Sequence, residues 1–185
     1  MTEQTFSIRE AVPTDADQLL SVMSKIGSET PYLVMDERGM AMSTAELAEN
    51  LATLYESPNN VLLVALAGEA IIGTASVSAS SKKRMEHIGE IGISILKQYW
   101  GYGLGSILME ELIRWAHESH VIRRLELTVQ DRNQRAIHVY KKLGFETEAI
   151  MPRGAKTDQG EFLDVHLMIS EPQKYVDEFI KSGAN

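Results

Sequence analysis

QYWGYGLGS, residues 98–106, is the stretch that decides how this chain is read. Gly101, Gly103 and Gly105 follow a strand-like run, EHIGEIGISIL at 86–96. They precede a helical pattern in which Leu108, Leu112 and Trp115 or Ala116 return on one face. Glycine in the first turn of a helix costs stability, so its use there implies a demand for bare backbone. A strand that runs into glycines and then into a helix gathers unpaired N–H groups and the positive end of a helix dipole at one point. That combination makes a site for an anion. No Gly-Lys-Ser/Thr follows, as an NTPase P-loop would need. Gly101-Tyr102-Gly103-Leu104-Gly105-Ser106 is also not the G-x-G-x-x-G of dinucleotide sites. The spacing suits a pyrophosphate cradle, and an ordinary tight turn is the alternative.

On both sides of this stretch, strands and helices alternate. TFSIREAV, around 5–12, alternates as a first strand. After Pro13, Thr14 and Asp17 have the spacing of a capping box, ahead of a helix carrying Leu19, Met23 and Ile26 on one stripe. Ser43 and Glu46 have that spacing again, ahead of Leu47, Leu51 and Leu54, and SPNN at 57–60 ends the pattern. Residues 61–79 read as two strands turning at Ala67-Gly68-Glu69, so that with 86–96 they predict an antiparallel meander. In the helix after the glycines, Glu110 and Arg114 are expected to pair on the wet side. RRLELTV is the next strand. Asn133 then opens a short helix bearing Ala136, Ile137, Tyr140 and Leu143, with Gly144 placed as its left-handed cap. Strands near 145–151 and 160–169 follow, then an amphipathic segment from Pro172 with Tyr175, Val176, Phe179 and Ile180.

Composition narrows the function. A chain of 185 residues with 44% apolar and 24% charged residues is expected to form one domain spanning 1–185. Acidic residues outnumber basic ones by 26 to 18, a formal charge of -8, which argues against nucleic acid as a partner. Cysteine is absent, which removes disulfides, thiolate nucleophiles and a protein-bound acyl thioester. The longest apolar run, VLLVALA at 61–67, is too short to span a bilayer, and the N-terminus has no leader pattern. No membrane association and a cytoplasmic location are therefore expected. His117 and His120 lack a third ligand, so no metal is expected.

The glycine loop resembles the cofactor loop of the GNAT superfamily of N-acetyltransferases, Gln/Arg-x-x-Gly-x-Gly/Ala, through Gln98, Gly101 and Gly103. NQRAIHVYKKLGF downstream resembles that superfamily's second motif, with Asn133, Ala136, Tyr140, Gly144 and Phe145 in register. The resemblance implies an α/β fold of mixed topology: a twisted mixed sheet of about seven strands, splayed between strands 4 and 5 and flanked by helices. It implies acetyl-CoA in the splay, with the pyrophosphate on the N–H groups of Gly101, Tyr102, Gly103, Leu104, Gly105 and Ser106. The pantetheine arm would pair with Ile93, Ser94 and Ile95, and the N–H groups near Ile93 and Ile95 would polarise the thioester carbonyl. Trp100 and Tyr102 stand where many relatives carry basic residues, so backbone rather than side-chain charge is expected to hold the phosphates.

By the same resemblance Tyr140 protonates the leaving thiolate, and Asn133 touches the cofactor as well as capping its helix. A core tyrosine and a plain N-cap are the structural alternatives. The amine must lose a proton, since an alkylammonium with a pKa near 10.4 is largely charged at pH 7. Some relatives place a glutamate five residues before the motif's asparagine. Thr128 stands there and cannot serve, which leaves Glu90 as the candidate base. The expected partners are acetyl-CoA and an amine acceptor on a small molecule or peptide, and a homodimer is compatible. A non-catalytic acyl-CoA sensor of the same fold is the alternative function. The acceptor side is expected about 27–43 and 151–161, which mix Glu29, Asp36 and Glu37 with Arg153 and Lys156. Met35, Met40 and Met42 lie nearby as gap-fillers.

Overall fold

The computed structural model describes residues 5–33 and 38–177. Seven strands form one sheet in the order β1-β2-β3-β4-β5-β7-β6. β2 (Val61–Ala67), β3 (Ala70–Ala79) and β4 (Ile88–Ile95) make the expected antiparallel meander, and β1 (Phe6–Glu10) pairs antiparallel with β2 at its outer edge. Helices α1 (Ala16–Glu29) and α2 (Thr44–Tyr55) are inserted between β1 and β2. Helix α3 (Leu104–Glu118) carries the chain from β4 to the parallel strand β5 (Arg124–Gln130). Helix α4 (Gln134–Lys142), β6 (Glu146–Lys156), β7 (Phe162–Ser170) and the short α5 (Pro172–Tyr175) complete the fold. Phe179 and Ile180 lie outside the described residues.

Two expectations about helix ends and faces need correction. Thr14 and Asp17 do not cap α1. Pro13 opens a 3-10 turn over Pro13–Asp15, so the reach-back falls to Asp15, whose carboxylate accepts from Val12 N–H at 2.8 Å. Arg9 holds that carboxylate with two hydrogen bonds, at 2.7 and 2.9 Å, and keeps its pKa below the usual carboxylate range. On α3, Arg114 pairs with Glu111 at 2.7 Å rather than with Glu110, which lies near Tyr175. Residues three apart are helical neighbours just as residues four apart are. The Ser43–Glu46 box forms as expected, with Glu46 N–H donating to Ser43 Oγ at 3.3 Å and Ser43 N–H donating to Glu46 Oε2 at 2.7 Å.

The core lies between sheet and helices. Leu104, Leu108, Met109, Leu112, Ile113 and Ala116 form the fully buried face of α3, which settles the Trp115 or Ala116 alternative in favour of alanine. A Cβ at Gly105 of α3 would lie 3.7 Å from Ile95 Cδ1, so α3 covers the sheet face that Ile95 presents. Helix α1 covers the other face, where Thr74 Oγ1 donates to the Met23 sulfur at 3.6 Å. Strand β6 runs past Pro152, where the sequence pattern stops. The irregularity between Met151 and Ala155 accommodates a residue that cannot donate to the ladder, and a second irregularity lies between Thr147 and Ala149.

The feature that creates a site is the short contact between β4 and β5. They pair only at Ile88–Glu90 with Arg124–Glu126, after which β4 stays with β3 and β5 stays with β7. An unpaired strand edge is ordinarily a liability. Here the edge faces a cleft.

Candidate active site

Backbone alternation shows which groups β4 turns toward the gap. Leu96 N–H donates to Ile72 O of β3 at 2.9 Å, so residues of that parity face β3, and Ile93 and Ile95 face the splay. Trp100 supports this from the open side, its indole N–H donating to Ile95 O at 2.8 Å. The amides of Ile93 and Ile95 and the carbonyl of Ile93 remain for a ligand running along the edge.

The chain then tightens through a 3-10 turn, Lys97–Tyr99, into the glycines. Gly101 and Gly103 adopt φ of +94° and +78°, a region that side chains with a Cβ rarely enter. Gly103 is also the N-cap of α3 and has no side chain to accept from the first turn. Among the described residues, the N–H groups of 101 to 105 have no protein acceptor, while Ser106 and Ile107 N–H both donate to Gly103 O. The cradle of free amides therefore ends at Gly105, one residue earlier than the sequence suggested.

A cleft of about 400 Å³ joins these groups. Ile93, Ser94 and Ile95 line it from β4, and Gly101, Gly103, Leu104, Gly105 and Ser106 from the turn and α3. Asn133 and Tyr140 line it from α4, with Ala136 and Val139 between them. Gln98, Tyr102 and Glu90 do not line it. Tyr102 is 60% exposed and edge-on to Phe6, at a centroid distance of 6.1 Å. Glu90 is exposed on the α1 side of β4, beside Glu126, which Arg124 holds at 3.0 Å. Thr128 is exposed on β5.

The end of α4 fixes Tyr140. Gly144 takes φ of +80°, its N–H donates to Lys141 O at 3.2 Å, and Phe145 N–H donates to Tyr140 O at 3.0 Å, the two bonds of a Schellman motif. The apolar contact that accompanies such a motif is Phe145 against the Tyr140 ring, with centroids 6.1 Å apart. The ring is thus held while its hydroxyl has no hydrogen-bond partner among the described residues. Burial pushes its pKa up to about 12, so the phenol stays protonated across the neutral range. At the other end of α4, Asn133 accepts from Ala136 N–H at 3.3 Å, the N-cap bond that its residue type favours.

The far end of the cleft is built by the end of α1 and by part of the 27–43 segment expected on the acceptor side. Ile26, Thr30, Tyr32 and Leu33 line it. Gln130 Nε2 donates to Pro31 O and Tyr32 O at 3.2 and 3.3 Å, Arg132 Nη2 donates to Pro31 O at 3.0 Å, and its guanidinium lies over the Tyr32 ring. Glu29 accepts from Lys97 N–H at 2.8 Å and so ties α1 to the start of the glycine loop. Arg153 lies over Phe162, outside the cleft lining. Met35, Asp36 and Glu37 fall outside the described residues.

Comparison with known proteins identifies this arrangement. Residues 32–145 match the model of the acetyltransferase (GNAT) family. The chain belongs to that family. This acetyltransferase is 32% identical over 115 residues to the L-amino acid N-acetyltransferase AaaT of Escherichia coli (strain K12), covering 62% of this chain and 70% of that protein. It is 41% identical to a GNAT-family acetyltransferase from Streptococcus pneumoniae of known structure. That match covers 90% of this chain and 99% of the other, with a TM-score of 0.88. The fold is shared with yncA from Salmonella typhimurium, a putative acetyltransferase solved with its cofactor acetyl-CoA, at 20% identity and a TM-score of 0.78 over 91% and 94% of the two chains. The residues of this acetyltransferase fit acetyl-CoA: an open strand edge for an amide-bearing arm, and free amides on left-handed glycines for a pyrophosphate. Among the described residues no helix is long and apolar enough to cross a membrane.

Proposed function

We propose that this acetyltransferase moves an acetyl group from acetyl-CoA directly to an amine of a small molecule or peptide while both are bound. A cysteine carrier is excluded by composition. The observation that carries the reading is one cleft lined both by Tyr140, whose protonated hydroxyl has no hydrogen-bond partner among the described residues, and by Ile93 and Ile95, whose amides face the splay. In this reading those amides stabilise the charge that develops on the carbonyl oxygen as the amine nitrogen bonds to the acetyl carbon. Tyr140 Oη donates its proton to the sulfur as the carbon–sulfur bond breaks. Asn133 caps α4 and adds a contact on the cofactor side.

Free L-amino acids are the first acceptors to test, because the Escherichia coli relative is named for them. Purified protein given acetyl-CoA and single amino acids, then polyamines, then N-terminal peptides, is expected to release thiol with at least one group, with an acetylated product of matching mass. Tight acetyl-CoA binding without transfer to any acceptor class would overturn the reading in favour of a sensor.

Glu90 takes the amine's proton in this scheme. It lies outside the cleft lining, so it acts through water. Glu90→Gln is expected to lower turnover several-fold, most strongly at low pH, where more of the amine is protonated and a base is needed most. Acetyl-CoA affinity should not change. A pH–rate profile superimposable on that of the wild type removes Glu90 from the mechanism.

A further inference from the structure

The glycine loop carries no basic side chain of its own, yet the fold brings one to it. Arg135 lines the cleft from the first turn of α4, and a Cβ at Gly101 would lie 3.8 Å from its Nη2. We propose that Arg135 is a phosphate clamp, reaching across the splay from α4 to hold the pyrophosphate of acetyl-CoA against the amides of residues 101 to 105. The proposal rests on the cofactor site described above and assigns the cation that site was expected to lack.

Three observations converge on it. First, the Arg135 guanidinium makes no ion pair or hydrogen bond with any described residue, although the chain carries eight more acidic than basic residues. Arg9, Arg114 and Arg124 all engage carboxylates, and Arg132 is held by Gln130 and Pro31. Second, a cation in the first turn of a helix opposes the dipole and is electrostatically misplaced for stability. Third, neither α3 nor α4 has an acidic residue in its first turn, so nothing in either turn offsets this positive charge. Two helix N-termini and a free guanidinium lining one cleft make a site whose charge is balanced only when an anion is bound.

The pyrophosphate is the group chosen because Arg135 lies beside Gly101, at the mouth of the free amides. The ribose 3′-phosphate of the same cofactor is the competing source of phosphate chemistry, and the ligands of the test separate the two. Affinities of wild type and Arg135→Ala are measured by calorimetry for acetyl-CoA, acetyl-3′-dephospho-CoA and acetyl-pantetheine. Arg135→Ala is expected to lose about tenfold for the first two and nothing for acetyl-pantetheine, which has no pyrophosphate. Arg135→Lys should restore part of the loss, since it keeps the charge without the planar fork. The apo protein should melt at the same temperature or slightly higher in Arg135→Ala, because a cation leaves a helix N-terminus. Unchanged acetyl-CoA affinity overturns the clamp, as does a loss confined to the ligand bearing the 3′-phosphate. Should wild type bind acetyl-pantetheine as well as acetyl-CoA, the cradle itself has failed, which is a different result from a failure of Arg135 alone.

Discussion

Tyr140→Phe is expected to cut turnover about a hundredfold while leaving acetyl-CoA affinity and melting temperature unchanged. The ring is 9% exposed and packs against Phe145 below a Schellman motif that uses only backbone groups, so phenylalanine fills the same space. The hydroxyl has no hydrogen-bond partner among the described residues, so its removal breaks no hydrogen bond there. That distinguishes it from a core tyrosine whose lost bond would cost about 1 kcal/mol. In the proposed mechanism, what the variant loses is a proton at the sulfur. A thiolate is already a fair leaving group, which places the effect at the lower end of the range for general acids. Because burial raises the phenol to about 12, this donor keeps its proton across the neutral range, and an alkaline loss of activity below that value belongs to another group. Steady-state turnover, calorimetric affinity and a thermal melt on one preparation decide the matter. Full turnover would remove Tyr140 from the chemistry, whatever the melt shows.

Gly103→Val is expected to weaken acetyl-CoA binding by about ten- to a hundredfold with the fold retained. Among the described residues no atom lies within 4 Å of a Cβ at this position, so the variant creates no clash with them. The cost is conformational. Gly103 sits at φ of +78°, where a residue with a Cβ is strained by roughly 1–2 kcal/mol and a β-branched one by more. The strain relaxes by turning the loop and moving the amides of 101 to 105 out of line, and the added branches cover the space where an anion would lie. Gly105 provides a contrast: it is helical, a Cβ there meets Ile95 at an ordinary 3.7 Å, and Gly105→Ala should weaken binding far less. Calorimetry on the two variants, with circular dichroism to show that both are folded, tests the pair. Equal affinities for Gly103→Val and wild type would mean that the loop does not hold the cofactor.

Features governed by near neighbours were legible before any coordinates. The glycine turn, the Ser43–Glu46 box, the Asn133 cap and the Gly144 terminus each depend on residues within a few positions of one another, and each formed as written. The α1 start differs from the expected box for a local reason too: Pro13 shifts the turn, so the reach-back comes from Asp15. Helical spacing holds a further signal. Arg135, Ala136, Val139 and Tyr140 share one side of α4, so the positions flanking the motif residues pointed at the cleft.

The sequence by itself determined the kinds of element, their order, the absence of a cysteine carrier and a loop that only glycine can make. These follow from dihedral limits, periodicity and composition, which act along a few residues of chain. Only the tertiary structure decided that β4 and β5 separate after Glu90, that Trp100 closes Ile95 O while leaving the amides of Ile93 and Ile95 open, and that Arg135 faces Gly101. It also decided that Gln130 and Arg132 hold Pro31 across about a hundred residues of sequence. Contacts of this kind depend on how rigid elements pack around a common core, and their partners are set by distance in space, which no local rule along the chain encodes.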